Sequence, residues 1–213
     1  MLKVNTNKNI WFCSDPHYNH KNICRGVSSW TKGNQTRDFI TLNDMNESIL
    51  SGINNNVNPD DILFCLGDWS FGGSDKIIEF REKVNCQNIH LILGNHDHHI
   101  ESGYIRNKSG QGVSSKDLFS SIDHYLEIDI NGVKMVLSHY PIASWNGVHK
   151  GWIHLFGHCH LLPQHKIRQG KSMDVGFDGS SDFRPYNLIE ILDIMENRPS
   201  VGISIPSNID HHQ

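Results

Sequence analysis

The stretch "LILGNHDHH", residues 91–99, decides the fold. An apolar run ends at Gly94 and is followed directly by Asn95, His96, Asp97 and two further histidines. Near-continuous apolar runs are typical of strands that are covered on both faces. The polar side chains that follow can all bind metals or protons, so the stretch predicts a chemical site at the end of a buried strand.

Two earlier segments repeat this pattern of an apolar run that ends in small and polar residues. They are "IWFCSDPH" (10–17) and "ILFCLGD" (62–68). The segments between the three runs have helical periodicity, with Thr41 and Ser74 as expected N-caps. Alternating strands and helices predict right-handed crossovers and a mainly parallel central sheet.

After residue 120 the pattern becomes rich in strands. The segment 125–140 contains two alternating strands joined by Asn131 and Gly132, a strong hairpin signal. We expect further strands in "WIHLFGHCH" (152–160), "KSMDVGF" (171–177) and "YNLIEILDI" (186–194). The second half therefore predicts a second sheet packed on the first, within a single domain of residues 1–213.

Composition excludes several classes of protein. A net charge of -4 argues against a general polyanion binder, and no apolar run is long enough to span a membrane. The N-terminus lacks the pattern of a signal peptide, and the five cysteines form no CxxC pair, so we expect a cytoplasmic protein. The 15 histidines nearly match the 19 lysines and arginines, which favours metal or proton chemistry.

The predicted strands place their polar residues at one edge. Ligands in an open α/β sheet collect beyond the carboxyl ends of its strands. The groups expected there are Asp15, His17, Asp68, Asn95, His96, Asp97, His139, His158 and His160. They exceed the roughly four ligands of one zinc site, so we expect two metals about 3.5–4 Å apart, bridged by a carboxylate.

These motifs resemble the calcineurin-like metallophosphoesterases, and in particular a small bacterial and phage branch. The blocks of that family, DxH, GD, GNH(D/E), H and GHxH, stand in order between residues 13 and 160. Here they read Asp15-Pro16-His17, Gly67-Asp68, Gly94-Asn95-His96-Asp97, His139 and Gly157-His158-Cys159-His160. The resemblance implies a four-layer αββα sandwich: two packed mixed sheets flanked by helices, with a dinuclear site at the carboxyl ends of the strands.

The resemblance also implies a role for each residue. One metal would be bound by Asp15, His17 and His160, and the other by Asn95, His139 and His158, with Asp68 bridging both. A hydroxide between the metals would attack phosphorus, and His96 would protonate the leaving group. Asp97 is expected to assist His96, and Asn95 and His20 are expected to contact substrate, although His20 also fits a structural histidine at the start of a helix. The ions would be manganese, iron, zinc, cobalt or nickel, with manganese favoured.

The expected substrate is a phosphoester, possibly a nucleotide or nucleic acid. Protein phosphatases of the family carry GDxxDRG, whereas this chain has "GDWSFGG" and lacks the arginine suited to a dianionic monoester. We therefore expect a phosphodiesterase. The alternatives are a small DNA or RNA nuclease, a phosphomonoesterase and a non-catalytic, metal-stabilised scaffold. We expect no membrane partner, and the oligomeric state is not predicted.

Three further residues carry smaller expectations. Cys159 should face away from the two flanking histidines as a small buried side chain. Asp174 lies in the expected strand of residues 171–177, and Asp178 follows it. Each fits equally a turn or a hydrogen bond to a ligand histidine.

Overall fold

The three apolar runs form neighbouring strands of one sheet in the computed structural model, which describes residues 1–30, 36–106, 110, 112–168 and 170–200. These strands are β2 (Ile10–Cys13), β3 (Ile62–Cys65) and β4 (Asn88–Ile92), and they run parallel. At the sheet edges, β7 (Ser121–Asp123) pairs parallel with β4, and β12 (Tyr186–Asn187) pairs antiparallel with β2.

This first sheet is buried on both faces, as its apolar sequence predicts. Leu63 and Cys65 face a cluster that includes two helices, α1 (Leu42–Asn54) and α2 (Ser74–Lys83), whereas Phe64 faces the second sheet. Thr41 caps α1, and its hydroxyl accepts a hydrogen bond from the backbone N–H of Asp44 at 3.1 Å.

The expected cap of α2 is wrong. Ser74 is the first helical residue, and the N-cap position belongs to Gly73, whose φ of 76° lies in a region that glycine adopts without steric cost.

The second sheet contains β1 (Leu2–Val4), β8 (Tyr125–Ile130), β9 (Val133–Ser138), β10 (Ile153–Phe156) and β11 (Ser172–Asp174), in that order. Its neighbours pair parallel except for β8 and β9, which form the predicted hairpin. Asn131 and Gly132 both have positive φ, 51° and 93°, as a type I′ turn requires.

The two sheets pack face to face around one apolar core. Buried side chains from both sheets meet there: Phe12, Phe64 and Ile92 from the first, and Ile128, Met135 and Leu155 from the second. On the outer face of the second sheet, Val136 packs against Trp145 and Val148. Two packed mixed sheets flanked by helices are therefore confirmed as the fold.

The strand expected over 186–194 is wrong beyond its first two residues. After β12 the chain forms helix α5 (Leu188–Met195), where the Asn187 side chain accepts a hydrogen bond from the Ile189 N–H at 2.9 Å. Short apolar runs do not distinguish a strand from a buried helix. Here the helical period fits the burial, since Ile191 and Met195 are four residues apart and are both buried on one helix face.

A smaller unit covers the region after β4. It contains α3 (His98–Glu101), a hairpin of β5 (Tyr104–Arg106) and β6 (Gly112–Ser114), and α4 (Ser115–Leu118). Among the helices of the described residues, none has the length and apolar character needed to cross a bilayer.

A buried histidine makes the stability of the fold depend on pH. His154 in β10 is fully buried; its Nδ1–H donates to the Val136 carbonyl at 3.1 Å, and its Nε2 accepts from the Ile142 N–H at 3.0 Å. Burial lowers the pKa of His154 to about 4. A proton on Nε2 would face the Ile142 N–H, so only the neutral ring fits this site.

We predict that His154 destabilises the fold progressively as pH falls from about 6.5, the usual histidine pKa, to about 4. Above that pH range the neutral ring makes its full contribution to the free energy of unfolding, and roughly 3 kcal/mol is lost across the range. Urea unfolding as a function of pH should show a shallower loss of stability for His154→Gln than for the wild type. The exposed His165→Gln control should follow the wild type, and identical slopes for all three proteins would contradict the prediction.

Candidate metal centre

The strand ends of both sheets meet at one edge of the molecule. The register aligns Cys13 with Cys65 and Cys65 with Leu91, so the polar residues after β2, β3 and β4 emerge side by side. At the same edge the Ser14 N–H donates to the Val175 carbonyl of the second sheet at 3.0 Å. That backbone bond joins the residue after β11 to the residue after β2, and β10 and β9 lie next to β11 in their sheet.

The predicted ligands fall into two groups. In the first group, Nε2 of His17 lies 3.0 Å from Nε2 of His160, and Oδ1 of Asp15 lies 3.7 and 3.8 Å from these two nitrogens. In the second group, Oδ1 of Asn95 lies 3.0 Å from Nε2 of His139 and 3.0 Å from Nδ1 of His158. This is the division that the family resemblance implies.

Asp68 lies between the two groups. Its Oδ2 is 3.6 Å from Nε2 of His17 and 3.6 Å from Nε2 of His139. Its Oδ1 accepts a hydrogen bond from the backbone N–H of His96 at 2.9 Å, which fixes the orientation of the carboxylate. One oxygen is thus directed at both groups, the arrangement that a bridging ligand needs.

The backbone is strained where it presents these side chains. Positive φ is uncommon outside glycine and costs free energy, and such residues cluster at functional sites. Here it occurs at a set of predicted ligands: Asp15 (53°), His17 (51°), Asp68 (57°), His158 (67°) and His160 (49°). Contacts with the surrounding structure therefore hold these residues in backbone conformations that are locally unfavourable but direct their side chains into the site.

Two glycines allow the close packing behind the ligands. A Cβ at Gly94 would overlap the Asp68 carboxylate, and a Cβ at Gly157 would overlap the side chains of Ser14 and Asp15. The glycines of the GNHD and GHCH segments are therefore required by contact with the carboxylates and not by turn geometry alone.

The donor set fits divalent cations. Oδ2 of Asp15 accepts from the His158 N–H at 2.8 Å, whereas Oδ1 is buried and has no hydrogen-bond partner among the described residues. Burial raises the pKa of Asp15 and lowers that of His17 well below its usual value, because it disfavours the charged form of each side chain. Because Nδ1 of His139 donates to the Leu66 carbonyl at 2.7 Å, its Nε2 presents a lone pair toward Asn95. A divalent cation held between these two acceptors would offset their repulsion.

His96 stands apart from both groups. Its side chain is 43% exposed, and its Nε2 is 4.0 Å from Oδ2 of Asp68. It lines the same cavity, of about 770 Å³, as Asp68, Asn95 and the two histidines of the GHCH segment. The ring therefore faces the space in which a substrate would lie.

Asp97 is engaged by the backbone rather than by His96. Its Oδ2 accepts from the N–H groups of Asp68 and Gly94, both at 2.8 Å, and its Oδ1 accepts from the Trp69 N–H at 2.9 Å. Burial raises the pKa of Asp97 to about 6 despite these bonds. Its contacts identify Asp97 as a positioning residue for the turn that carries Asp68.

Sequence reasoning missed Arg37, which belongs to no motif. Its side chain is 2% exposed, and Nε and Nη2 bind the Asp178 carboxylate at 3.0 and 2.8 Å. Nη1 and Nη2 also donate to the carbonyls of Pro16 and Asp15 at 2.8 and 2.7 Å. The guanidinium thus ties the DPH segment to Asp178.

Asp178 in turn orients a predicted ligand. Its Oδ2 accepts from Nδ1 of His160 at 2.8 Å, which directs Nε2 of that ring at the first group. Burial alone would raise the pKa of Asp178, but Arg37 and His160 lower it well below its usual range. Of the two roles expected for Asp174 and Asp178, Asp178 makes the hydrogen bond to a histidine. Asp174 has the turn role, accepting from the N–H groups of Gly176 and Leu161 at 2.7 and 3.3 Å.

Two other residues complete the cavity. His20 lies at its wall and stacks on Phe71, so it combines the start of a short 3-10 helix with a place near the substrate space. Cys159 is exposed and lines the cavity, so the expectation that it is buried is wrong. Positive φ at His158 and His160 breaks the alternation of a strand, and Cys159 no longer faces the core.

We predict that Asp178→Asn weakens divalent-metal binding about 10- to 100-fold, because His160 loses the charged acceptor that fixes its ring. Isothermal titration of metal-free protein with Mn²⁺ measures the change, and circular dichroism checks that the fold is retained. Asp182→Asn is the matched control, since Asp182 is an exposed acid four residues away. Equal dissociation constants for Asp178→Asn and the control would exclude this positioning role.

Comparison with known proteins agrees with the fold and the motifs. Residues 8–192 match the calcineurin-like phosphoesterase family. The chain is 30% identical over 195 residues to an uncharacterized protein of Methanocaldococcus jannaschii, covering 89% of this chain and 92% of the relative. A protein of unknown function from Aquifex aeolicus has a similar fold, with a TM-score of 0.62 at 22% identity, covering 88% of this chain and 100% of that one. The chain therefore belongs to the calcineurin-like phosphoesterase family.

Proposed function

We propose that the protein is a phosphodiesterase that uses two divalent metal ions. The family hydrolyses phosphoesters with divalent metals, and two overlapping groups of candidate ligands support the proposal: Asp15 with His17 and His160, and Asp15 with Asp68 and His139. The proposed ligands are Asp15, His17 and His160 for one ion, Asn95, His139 and His158 for the other, and Asp68 for both. The central position of Asp68 supports this assignment.

Divalent ions held by these residues would supply Lewis-acid polarisation of the phosphoryl oxygens and would lower the pKa of a nucleophilic water molecule. The residues of the chain do the remaining work. Asn95 lies at the cavity surface, where its amide can also contact a phosphoryl oxygen. His96, which binds neither group, donates a proton to the leaving oxygen.

One observation carries the choice of a diester. Among the described residues that line the cavity there is no arginine or lysine, and the nearby guanidinium of Arg37 is already bound to Asp178 and two backbone carbonyls. A dianionic monoester is best held by a free guanidinium in addition to metal ions, whereas a monoanionic diester needs less positive charge.

Three finer expectations belong to the same proposal: manganese as the favoured ion, one domain over residues 1–213, and a cytoplasmic location. The five cysteines support the last, since all are free thiols.

We predict that Mn²⁺-loaded protein hydrolyses bis(p-nitrophenyl) phosphate with a kcat/KM at least about tenfold above that for p-nitrophenyl phosphate, a difference of about 1.4 kcal/mol in transition-state binding. Release of p-nitrophenol measures both rates. Asp68→Asn should abolish both activities. Faster turnover of the monoester would instead identify a phosphomonoesterase.

We predict that His96→Ala slows hydrolysis of a methyl ester by about 10²- to 10⁴-fold, because an alkoxide cannot leave without a proton. A p-nitrophenolate leaving group needs little protonation, so the same variant should slow its release far less. His98→Ala, two residues away and exposed, is the control. Metal content by mass spectrometry should be unchanged in both variants. An equal loss with both leaving groups would exclude proton donation.

A further inference from the structure

We propose that one side of the cavity forms a subsite for a planar aromatic ring on the leaving alcohol of the substrate, as in a nucleoside ester. The subsite consists of His20 and Trp30, which line the cavity, and of Phe71, on which His20 stacks; the three rings are called here the aromatic shelf. The inference deepens the proposed function, on which it rests, because it names the class of ester that the same centre would cleave.

The aromatic shelf begins beside the proposed proton donor. The ring centroid of Phe71 lies 4.6 Å from that of His96, and His20 stacks on Phe71 with centroids 3.6 Å apart and planes 5° from parallel. Trp30 contacts His20 edge-to-face at 5.8 Å and 88°. Three rings thus lead outward from His96 in sequence.

The position of His96 determines which part of a substrate meets the shelf. The proton from His96 must reach the oxygen that leaves phosphorus, so that oxygen lies next to His96. The carbon group attached to it then lies over the rings that adjoin His96. The shelf is therefore on the side of the leaving alcohol.

The chemistry of this side favours an uncharged, flat group. Trp30 is 43% exposed although it lines the cavity, and the apolar side chains of Ile23 and Leu162 also belong to the cavity lining. Exposed apolar side chains in a concave site are typical of ligand contact. The described lining residues lack lysine and arginine, so the shelf offers no cation for a second phosphate.

The size and rigidity of the site agree with a ring. A cavity of about 770 Å³ has room for a phosphoryl group and a bicyclic base. The parallel stack of His20 on Phe71 holds one ring in place, and offset or edge-on contact between aromatic rings adds about 0.5–1.5 kcal/mol beyond area burial. That range corresponds to a preference of up to about tenfold for a substrate with a ring.

The test compares two diesters with the same leaving oxygen. One is the 5′-methylphosphate of adenosine and the other is the 5′-methylphosphate of 1-O-methylribose, which lacks the base. We expect Mn²⁺-loaded protein to release the 5′-alcohol rather than methanol, and to favour the adenosine ester in kcat/KM by about tenfold. Trp30→Leu should bring the ratio close to one, and Trp30→Phe should restore most of it.

Tyr104→Ala, which removes an exposed aromatic side chain on β5 that does not line the cavity, should leave the ratio unchanged. Equal rates for the two esters, or a preference that survives Trp30→Leu, would overturn the inference while the phosphodiesterase stands.

If neither these esters nor bis(p-nitrophenyl) phosphate is hydrolysed, the proposed function fails and the subsite is tested without metal. Saturation-transfer NMR on metal-free protein should then show contact with adenosine but not with 1-O-methylribose, and should lose it in Trp30→Leu. Absence of the adenosine signal in the wild type would exclude the subsite as well.

Discussion

The structure depends on holding carboxylate, imidazole and amide ligand atoms close together at one edge of the two sheets. Two buried carboxylates, Asp15 and Asp68, lie among imidazole nitrogens at distances of 3.6–3.8 Å, and acceptor atoms of Asn95 and His139 approach to 3.0 Å. Such an arrangement is unfavourable without cations, because buried acceptors and charges lose their water. Hydrogen bonds from backbone N–H groups hold the carboxylates in place and leave the other ligand atoms available to bind cations.

In each carboxylate, one oxygen is bound to the backbone and the other is available to bind a cation. One oxygen of Asp15 accepts from the His158 N–H and one oxygen of Asp68 accepts from the His96 N–H, while the other oxygen of each faces the imidazoles. Asp97 repeats the principle one layer further out, since it binds three backbone N–H groups around Asp68. The site is thus preorganised by hydrogen bonds between its loops. The packed core of the two sheets fixes where these loops begin.

The sequence predicts the parts of this site that are local. Each ligand block is a few residues long and follows an apolar strand, so the central sheet, the hairpin at Asn131–Gly132 and the convergence of the blocks all follow from periodicity and turn chemistry. Helix α5 was missed because a short apolar run satisfies both periods. The burial of Cys159 was mispredicted because alternation fails where His158 and His160 adopt positive φ. Arg37 could not be found, since its contacts with Asp178 join positions 141 residues apart and no spacing marks them.

Arg37 also links the architecture of the site to its selectivity. An arginine near a phosphoryl site is normally read as a clamp for the substrate, but this one binds a carboxylate and two carbonyls beneath the ligands. A guanidinium committed to positioning His160 through Asp178 cannot also hold a second phosphate charge. Among the described residues, none that lines the cavity is a lysine or arginine, so under the proposed function the metal ions would supply most of the positive charge and the uncharged groups around His96 would discriminate among esters. Under that proposal, specificity would depend more on the organic group that the leaving oxygen carries than on the number of charges around phosphorus.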